Sequence, residues 1–300
     1  MTPVPVPADV RLVATDLDGT LLLPDGSVGA RTRAALDRLA RAGHPDLVIV
    51  TGRPPRWISP VAEMTGHTGT AISANGAVVL DLHDGVVVES FPLDPAVAAL
   101  AVQRLREAVP GAVFAVERVR PGSVLSRTRA ASYADLDAHG ADPTEYALGL
   151  DYVPRWPVPE GTLIAPIEDL VGSGDVVKLL ARPAPEHAHD ADSFLAAAEG
   201  ALAGLVEATH SNTRDVLLEV SAPGVSKATT LARVAAERGV GPEAVVAVGD
   251  APNDLPMLRW AGTAYAVANA HPAVLAAARH VLPDHADEGV ADLLEALAPR

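Results

Sequence analysis

The sequence contains no cysteine. This absence excludes disulfide bonds, a zinc site held by thiolates and a cysteine nucleophile, and it leaves the redox compartment unspecified. The chain has 300 residues, of which 49% are apolar. At about 150 residues per domain, this length predicts two domains, each with enough apolar residues for a core of its own.

Aromatic and basic residues are also few. Aromatic side chains make up only 3% of the chain, which is too few for a platform on which nucleic-acid bases would stack. The 23 Lys and Arg residues are outnumbered by 38 Asp and Glu residues, giving a formal net charge of −15. Both observations argue against nucleic acid or an anionic membrane as a partner. A chain this acidic needs a metal ion or a local cluster of positive groups to handle an anionic substrate.

No part of the sequence has the pattern of a targeting or membrane segment. The first residues lack a basic stretch followed by an apolar run, so we expect no secretory signal. The nearest approach to a membrane span, residues 261–278, owes its apolar character mostly to alanine and contains Asn269, His271 and Pro272, far short of a convincing span. We therefore expect a cytoplasmic protein, and the sequence leaves its oligomeric state open.

Strand and helix patterns alternate near the N-terminus. Residues 11–15 and 47–50 are apolar runs that predict buried parallel strands. Between them lies a predicted helix that begins after Ser27 as N-cap and ends at Gly43. A third short run, residues 71–73, is followed by a turn and a hairpin arm.

The pattern changes in the middle of the chain and returns near its end. From about residue 84 to residue 220, strand-like runs mix with alanine-rich helices and clusters of proline and glycine. After Pro223 the strand–helix alternation resumes. We therefore predict a doubly wound α/β core of Rossmann-like type with a parallel sheet, formed by residues 1–83 and 221–300, and an inserted α+β cap domain formed by residues 84–220.

Four polar clusters accompany the predicted core elements. They are residues 16–20 (DLDGT), 51–53 (TGR), Lys227 at a helix start, and 249–254 (GDAPND). Open α/β sheets bind ligands at the carboxyl ends of their strands, where three of these clusters lie. Because a buried unpaired charge is costly, carboxylates at these positions indicate a metal-and-phosphate site rather than packing.

These four motifs, in this order, resemble motifs one to four of the haloacid dehalogenase (HAD) superfamily. An insertion between the second and third motifs resembles the Cof-type branch of HAD phosphatases. The likeness extends to four further stretches: SANGA (73–77), GVSK (224–227), VANAHP (267–272) and DEGVADLL (287–294). It covers both core segments, and the insertion only in outline.

The chemistry of phosphomonoester hydrolysis fits the acidic residues. Asp16 would be the nucleophile that forms an aspartyl phosphate, and Asp18 would protonate the leaving oxygen and then deprotonate water. Mg²⁺ would offset the repulsion between this site and an anionic substrate. The resemblance implies Asp16, the backbone carbonyl of Asp18 and Asp250 as its ligands, with Asp254 orienting metal-bound water.

The resemblance also implies the groups that hold the phosphoryl oxygens, namely Thr51, the Gly52 amide and Lys227, with Asn253 positioning Lys227 or the phosphate. The lysine count supports this role of Lys227. Lys178 and Lys227 are the only lysines of the chain, where basic positions otherwise hold arginine. A lysine kept at a helix start, against the macrodipole, indicates that a compact ammonium group is needed there.

Several residues keep more than one interpretation. Arg53 reaches either the substrate or an acidic core residue, and Trp57 belongs either to the lip of a cleft or to the core. For Asn75-Gly76 we favour turn chemistry over ligand binding. His187, His189, Asp190 and Asp192 resemble a metal cluster, but they precede a predicted helix, so we favour a helix cap.

The leading hypothesis is thus a Mg²⁺-dependent phosphatase acting on a small phosphomonoester. A phosphomutase that uses the same aspartyl phosphate is the nearest alternative. A non-catalytic binding module that retains the fold is a third hypothesis, although it predicts the loss of an essential group and none is missing from the motifs. The sequence does not identify the phosphomonoester.

Overall fold

A computed structural model of the protein describes residues 4–120, 122–123, 145–156, 158, 160–183, 191–210 and 216–298. The strands are β1 Leu12–Thr15, β2 Asp46–Val50, β3 Thr70–Ser73, β4 Val78–Asp81, β5 Val86–Ser90, β6 Val113–Arg118, β7 Tyr146–Gly149, β8 Leu163–Ala165, β9 Val176–Arg182, β10 Glu207–Thr209, β11 Leu218–Ser221, β12 Val245–Gly249, β13 Thr263–Val267 and β14 His280–Leu282. The α-helices are α1 Ala30–Ala42, α2 Ser59–Thr65, α3 Pro95–Ala108, α4 Ile167–Val171, α5 Ala191–Leu202, α6 Lys227–Glu237, α7 Leu255–Trp260, α8 Pro272–Ala277 and α9 Gly289–Leu297.

The first sheet has eight strands in the order β14-β13-β12-β1-β2-β3-β4-β5. Its first six strands are parallel, and β4 and β5 are antiparallel additions at one edge. The central strands β1 and β12 are buried along their whole length and are apolar except for Thr15, as expected of parallel strands with helices on both faces. The predicted doubly wound α/β fold is confirmed.

The second sheet has six strands in the order β10-β11-β9-β6-β7-β8. Helices α3, α4 and α5 bury one of its faces in a separate hydrophobic cluster. The opposite face carries a smaller cluster that includes Ala115, Tyr146 and Leu180. Residues 95–221, which comprise this sheet and its helices, are called the insert below.

Strand β5 lies beyond residue 84, where we predicted the core segment to end, and it still pairs with β4 of the first sheet. The chain therefore completes an edge hairpin of the first sheet before it enters the insert at α3. At the other boundary, β11 belongs to the second sheet and the next helix, α6, contacts the first sheet. The division of the chain into two domains stays a prediction.

The prediction of Ser27 as the N-cap of the first helix is wrong. Helix α1 begins at Ala30 with Gly29 as its N-cap, because Ser27 is engaged in a turn with Asp25. The Asp25 carboxylate accepts bonds from the Ser27 amide at 2.9 Å and from the Ser27 hydroxyl at 2.6 Å. The other end is as predicted, since Gly43 ends the helix with a left-handed φ of 66°.

Candidate active site

The candidate site lies at the carboxyl edge of the first sheet. β1 and β12 are neighbouring parallel strands, with Thr15 paired to Val248. The residues that follow these two strands, Asp16 and Asp250, are therefore brought to the same edge of the sheet. The Asp16 amide donates to the Val248 carbonyl at 3.0 Å, which fixes the start of the loop after β1 against β12.

Lys227 lies between two of the predicted acidic residues. Its Nζ donates to Asp16 Oδ1 at 2.6 Å and to Asp254 Oδ1 at 2.7 Å, and the side chain is only 1% exposed. It reaches this position from the first residue of α6, which Ser226 and Thr229 begin with a reciprocal capping box. Burial alone would lower the pKa of Lys227, but Asp16 and Asp254 raise it above the usual value. The side chain is therefore a fixed positive charge.

Burial raises the pKa of the Asp16 carboxyl well above its usual range, although Lys227 lowers it in part and the other aspartates raise it further. Burial and then the charge of Asp254 raise the pKa of Asp250 to about 7, although a bond from Thr20 opposes this shift. That bond runs from Thr20 Oγ1 to Asp250 Oδ1 at 2.8 Å. Both pKa values are raised because several carboxyl groups lie close together in a site with little access to water.

The acidic residues fit a divalent cation. Oxygen atoms of Asp16, Asp250 and Asp254 lie within 4.8 Å of one another, and Lys227 is the ammonium that contacts two of them. Three carboxylates facing one ammonium leave a net negative charge that a hard cation with oxygen ligands would offset. Asp254 already uses both oxygens, because its Oδ2 accepts bonds from the Asp250 and Ala251 amides at 3.0 Å.

Gly19 is required by this geometry. Its φ is +79°, and a Cβ at this position would lie 2.5 Å from Asp250 Oδ2. Only glycine adopts such a backbone conformation without strain and leaves room for the carboxylate. The glycine of the DLDGT motif therefore allows the first loop to approach Asp250.

Arg53 pairs with Asp18. Its Nε donates to Asp18 Oδ2 and its Nη2 to Asp18 Oδ1, both at 2.7 Å. Arg53 thus pairs with an acidic residue, and its contact with the substrate stays a prediction. A bidentate bond from a guanidinium fixes both the position and the orientation of the carboxylate.

The TGR stretch follows β2, which is next to β1 on the side away from β12. The Thr51 hydroxyl accepts a bond from the Arg53 amide at 3.1 Å, and Thr51 is buried. The Gly52 carbonyl accepts a bond from Lys178 Nζ at 2.6 Å. Thr51 and Gly52, the predicted phosphate-binding residues, are therefore fixed by one bond from within their own loop and one bond from the insert.

Asn253 contacts Asn75, and its role in positioning Lys227 or the phosphate stays a prediction. Its Nδ2 donates to Asn75 Oδ1 at 3.0 Å, and Lys227 contacts Asp16 and Asp254. Asn75 has a positive φ of 58°, as its predicted turn requires, and it also donates to Glu219 Oε2 at 3.1 Å. Asn75 therefore combines turn chemistry with a link between Asn253 and the insert.

Sequence reasoning missed the contribution of the insert, which comes mainly from Lys178 and Glu219. A signal was present, because each is a charged residue with apolar neighbours on both sides in a strand-like run, VVKLLAR and LEVS. Such a residue, placed in a buried strand, has to meet a partner. Lys178 was noted only as the second lysine of the chain.

Trp57 lies at the boundary between the insert and the first-sheet part of the molecule, by which we mean the first sheet and the helices packed on it. Its ring packs edge-on against Trp156 of the insert, with the ring centroids 5.7 Å apart. Of the four residues that resembled a metal cluster, His187, His189 and Asp190 lie outside the described residues. Asp192 is in the first turn of α5, where its Oδ1 lies 3.0 Å from His210 Nε2.

Comparison with known proteins defines the class of the protein. A family model for haloacid dehalogenase-like hydrolases matches residues 13–120 and 167–294. The chain therefore belongs to the haloacid dehalogenase-like hydrolase family, and the prediction of a hydrolase of this superfamily is confirmed. No helix in the described part of the chain is long and apolar enough to cross a membrane.

Individual relatives match over almost their whole length. The chain is 28% identical to pyridoxal phosphate phosphatase YbhA of Escherichia coli over 288 residues, which cover 95% of this chain and 97% of the relative. It is 27% identical to 5-amino-6-(5-phospho-D-ribitylamino)uracil phosphatase YitU of Bacillus subtilis over 293 residues, covering 95% and 96%. The solved structure of BT1666 from Bacteroides thetaiotaomicron, a HAD superfamily protein, has the same fold, with a TM-score of 0.72, 22% identity and coverage of 98% and 97%.

Proposed function

We propose that the chain is a Mg²⁺-dependent phosphatase that hydrolyses small phosphomonoesters through an aspartyl phosphate on Asp16. One observation carries the proposal. Asp16 is buried at the end of β1, with the ammonium of Lys227 2.6 Å from its carboxylate and oxygens of Asp250 and Asp254 within 4.8 Å. An acid, Asp18, follows two residues later, where Arg53 holds it. Nucleophile, acid and positive charge are thus collected at one sheet edge.

The residues of the chain account for both halves of the reaction. In the first half, a carboxylate oxygen of Asp16 bonds to phosphorus, the bond from phosphorus to the ester oxygen breaks, and that oxygen takes a proton from Asp18. In the second half, the Asp18 carboxylate takes a proton from water, whose oxygen bonds to phosphorus. Inorganic phosphate then leaves, and the Asp16 carboxylate is regenerated.

The bond from Arg53 suits the second half of this cycle. Two bonds from a guanidinium favour the charged form of a carboxyl group, which is the form that acts as a base, so Asp18 gives up at least one of these bonds when it carries the proton for the first half. Lys227, in contrast, faces Asp16 throughout, where its ammonium neutralises charge that develops on the phosphoryl oxygens. Thr51 and the Gly52 amide are the further groups proposed to bind those oxygens.

Mg²⁺ is the proposed cofactor. Asp16, Asp250 and the backbone carbonyl of Asp18 would hold it, with Asp254 fixing the loop of Asp250 through its two amide bonds. When bound, the ion supplies positive charge that offsets the carboxylates and polarises the phosphate.

We further propose that the insert acts as a cap over the site and shapes the pocket for the leaving group. The contacts of Lys178 with Gly52 and of Trp156 with Trp57 support this role. A seated cap would exclude water while the phosphoryl group is transferred. The relatives named above are phosphatases of pyridoxal phosphate and of a phosphoribitylaminouracil, so phosphorylated cofactors and their precursors belong in the substrate panel beside sugar phosphates.

The test is the release of inorganic phosphate from this panel, with Mg²⁺ and then with EDTA. We expect release with Mg²⁺, none with EDTA, and restoration when Mg²⁺ is added back. Asp16→Asn should abolish release while circular dichroism and thermal unfolding stay those of a folded protein. An isomerised phosphate ester without free phosphate would indicate a phosphomutase. Full activity in EDTA or in the Asp16→Asn variant would refute the mechanism, and inactivity on every ester would favour a binding module.

A further inference from the structure

A buried ion pair of the insert contacts the predicted phosphate-binding stretches. Lys178 on β9 and Glu219 on β11 are 1% and 4% exposed, and Lys178 Nζ lies 2.6 Å from Glu219 Oε1. Both side chains leave the second sheet on the face opposite helices α3 to α5, which also carries Leu180. This face is directed toward the carboxyl edge of the first sheet.

Each member of the pair makes one bond across to that edge. Lys178 Nζ donates to the Gly52 carbonyl at 2.6 Å. Glu219 Oε2 accepts a bond from Asn75 Nδ2 at 3.1 Å, and Asn75 in turn accepts a bond from Asn253. The ion pair therefore contacts the loop after β2 directly, at Gly52. It is linked to the loop after β12, at Asn253, through the side-chain amide of Asn75.

The lysine bond is placed where it affects the proposed acid as well. The Gly52 carbonyl belongs to the peptide bond that joins Gly52 to Arg53, and Arg53 holds Asp18 by two bonds of 2.7 Å. A peptide bond is planar, so fixing its oxygen also fixes its amide group and the Cα atoms on either side. The orientation of Arg53 therefore depends on where Lys178 holds this peptide.

Stability alone does not explain the pair. Removing two charges from water is costly, and an apolar pair of similar volume is often equally stabilising. An apolar pair would not donate to Gly52 or accept from Asn75. The contacts that distinguish the ion pair from an apolar one are thus those that it makes to the candidate site.

We propose that Lys178 and Glu219 are positioning residues. They make the geometry of the two predicted phosphate-binding stretches, residues 51–53 and 249–254, depend on whether the insert is docked on the first sheet. With the insert in place, Lys178 holds the Gly52–Arg53 peptide and Glu219 holds Asn75 and, through it, Asn253. When the insert is displaced, both stretches lose these bonds. This inference rests on the proposed phosphatase function.

The same boundary offers a matched control. Glu117 on β6 lies opposite Lys178 in the sheet, is 3% exposed and forms a buried ion pair with Arg56, whose Nη2 donates to Glu117 Oε1 at 3.0 Å. This pair also joins the insert to the first-sheet part of the molecule, but Glu117 donates nothing to and accepts nothing from Gly52 or Asn75. Glu117→Gln therefore weakens the seating of the insert without touching the positioning bonds.

The experiment compares four variants of the full chain: Lys178→Met, Glu219→Met, the double variant and Glu117→Gln. For the substrate found in the panel, we expect kcat to fall about 10²-fold in the first three, as for reacting groups displaced by about 1 Å, with KM changed less than about threefold. Glu117→Gln should raise KM and leave kcat near that of the wild type.

The double variant separates positioning from simple structural support. Each single variant removes the ion-pair partner of a buried charge, so thermal unfolding should occur at a lower temperature, and the double variant should recover much of this loss. Its kcat should nevertheless stay low, because the bonds to Gly52 and Asn75 are still missing. Recovery of kcat together with stability would overturn the proposal, as would an equal loss of kcat in Glu117→Gln.

A binding measurement keeps this inference distinct from the proposed function. Trp57 and Trp156 flank the boundary, and Trp260 is the remaining tryptophan of the chain, so emission in a Trp260→Phe background reports on the seated insert. In this background we expect Lys178→Met to weaken binding of orthovanadate, a phosphate mimic, by about tenfold or more in the presence of Mg²⁺, and Glu117→Gln to weaken it less. If the wild type hydrolyses no ester, the proposed function fails, and equal vanadate affinities in these two variants would refute the positioning role separately.

Discussion

The two lysine side chains of the molecule have the same environment in one respect. Each is 1% exposed, and each donates to a carboxylate and to a second oxygen at the candidate site, Lys227 to Asp16 and Asp254 and Lys178 to Glu219 and the Gly52 carbonyl. A lysine ammonium is a compact donor whose three protons can be directed to separate acceptors, whereas a guanidinium is a wide planar fork. Lysine, the rarest basic residue of the chain, is thus found where two acceptor oxygens lie close enough to bond to one ammonium group.

Arg53 provides a test at the residue scale. Replacing it by methionine removes the two bonds that hold Asp18, so protonation of the leaving oxygen should become less efficient. For an alkyl phosphate, which needs this proton, kcat should fall by at least about tenfold and at most by the 10⁴-fold that a general acid contributes. For p-nitrophenyl phosphate, whose leaving group is stable as an anion, the first half of the reaction should be much less affected in a stopped-flow burst.

The control for Arg53→Met is Arg120→Met, which removes an arginine whose side chain is 76% exposed on the insert. It should leave both esters unaffected. An equal burst-rate loss for the two esters in Arg53→Met would show that Arg53 binds the phosphate rather than positions the acid.

Gly19→Ala should damage the cation site. The substitution forces a side chain into a backbone with φ of +79° and places its Cβ 2.5 Å from Asp250 Oδ2. Gly174→Ala is the matched control, since φ is +77° there but no atom lies within 4 Å of the added Cβ. Both variants should lose about 1–2 kcal/mol of unfolding free energy from backbone strain.

Only Gly19→Ala should also weaken Mg²⁺ binding, by about tenfold or more, measured from the Mg²⁺ dependence of thermal unfolding. Equal Mg²⁺ responses in the two glycine variants would mean that Asp250 has room to move away. The prediction would then be wrong.

At the scale of elements, the start of α1 depends on a residue that is far away in the sequence. The Thr32 amide, in the first turn, donates to Glu288 Oε2 at 2.7 Å. A carboxylate at a helix N-terminus both satisfies a free amide and interacts favourably with the helix dipole. Local sequence pointed to Ser27 as the N-cap, and no local pattern could reveal a partner 256 positions away.

Glu288→Ala should therefore cost about 1 kcal/mol, the usual value of a capping side chain, and lower the unfolding temperature by about 2–4 °C. Glu295→Ala is a suitable comparison, because Glu295 is also near α1 but forms an exposed ion pair with Arg31. Its loss should cost less than about 0.5 kcal/mol. Scanning calorimetry of both variants measures the two losses of stability. A larger loss in Glu295→Ala than in Glu288→Ala would contradict the prediction.

The two sheets differ in how far they could be predicted. The parallel strands β1, β2 and β12 are short apolar runs bounded by polar loops, and their carboxyl ends carry the motifs, so both the strands and the site edge followed from the sequence. In the insert the strand-like runs were recognised, but their spatial order β10-β11-β9-β6-β7-β8 depends on four antiparallel pairings and one parallel pairing. No residue pattern specifies which of these runs become neighbours, so the placement of Lys178 and Glu219 beside the site could not be foreseen.

At the scale of the whole molecule, the net charge of −15 has to be reconciled with a phosphorylated substrate. Among the described residues, two positive groups pair with the aspartates of the site, namely Lys227, which is paired with Asp16 and Asp254, and Arg53, which is paired with Asp18. A phosphate ester entering this site meets more negative than positive charge unless a cation is bound. The acidity of the molecule and the acidity of the site thus lead to the same requirement for a divalent ion.

This requirement predicts how stability depends on pH in EDTA. Burial raises the pKa of Asp250 to about 7 and that of Asp16 above its usual range, so between about pH 4 and about pH 7 the folded chain holds a proton on Asp250 that the unfolded chain has released. The contribution of Asp250 to stability should therefore fall as the pH rises through this window and level off above it, and Asp16 acts in the same direction. Because metal ligands must be deprotonated, the increase in unfolding temperature caused by Mg²⁺ should be larger at about pH 8 than at about pH 5.5.

Asp250→Asn isolates this effect from the other ionisable groups. Carboxylates with a lowered pKa, such as Asp175 and Glu295, act in the opposite direction, since the stability that they contribute is lost only as the pH falls below about 4. They are fully ionised throughout the range from about pH 5 to about pH 8, so the difference between wild type and Asp250→Asn in that range belongs to the site. In EDTA the variant should lose less stability than the wild type as the pH rises, and its Mg²⁺ response should be small at every pH. A wild-type Mg²⁺ response that does not change with pH, or wild-type stability that rises across this window in EDTA, would mean that the aspartates are already ionised without a metal and that their charge is balanced from within the protein.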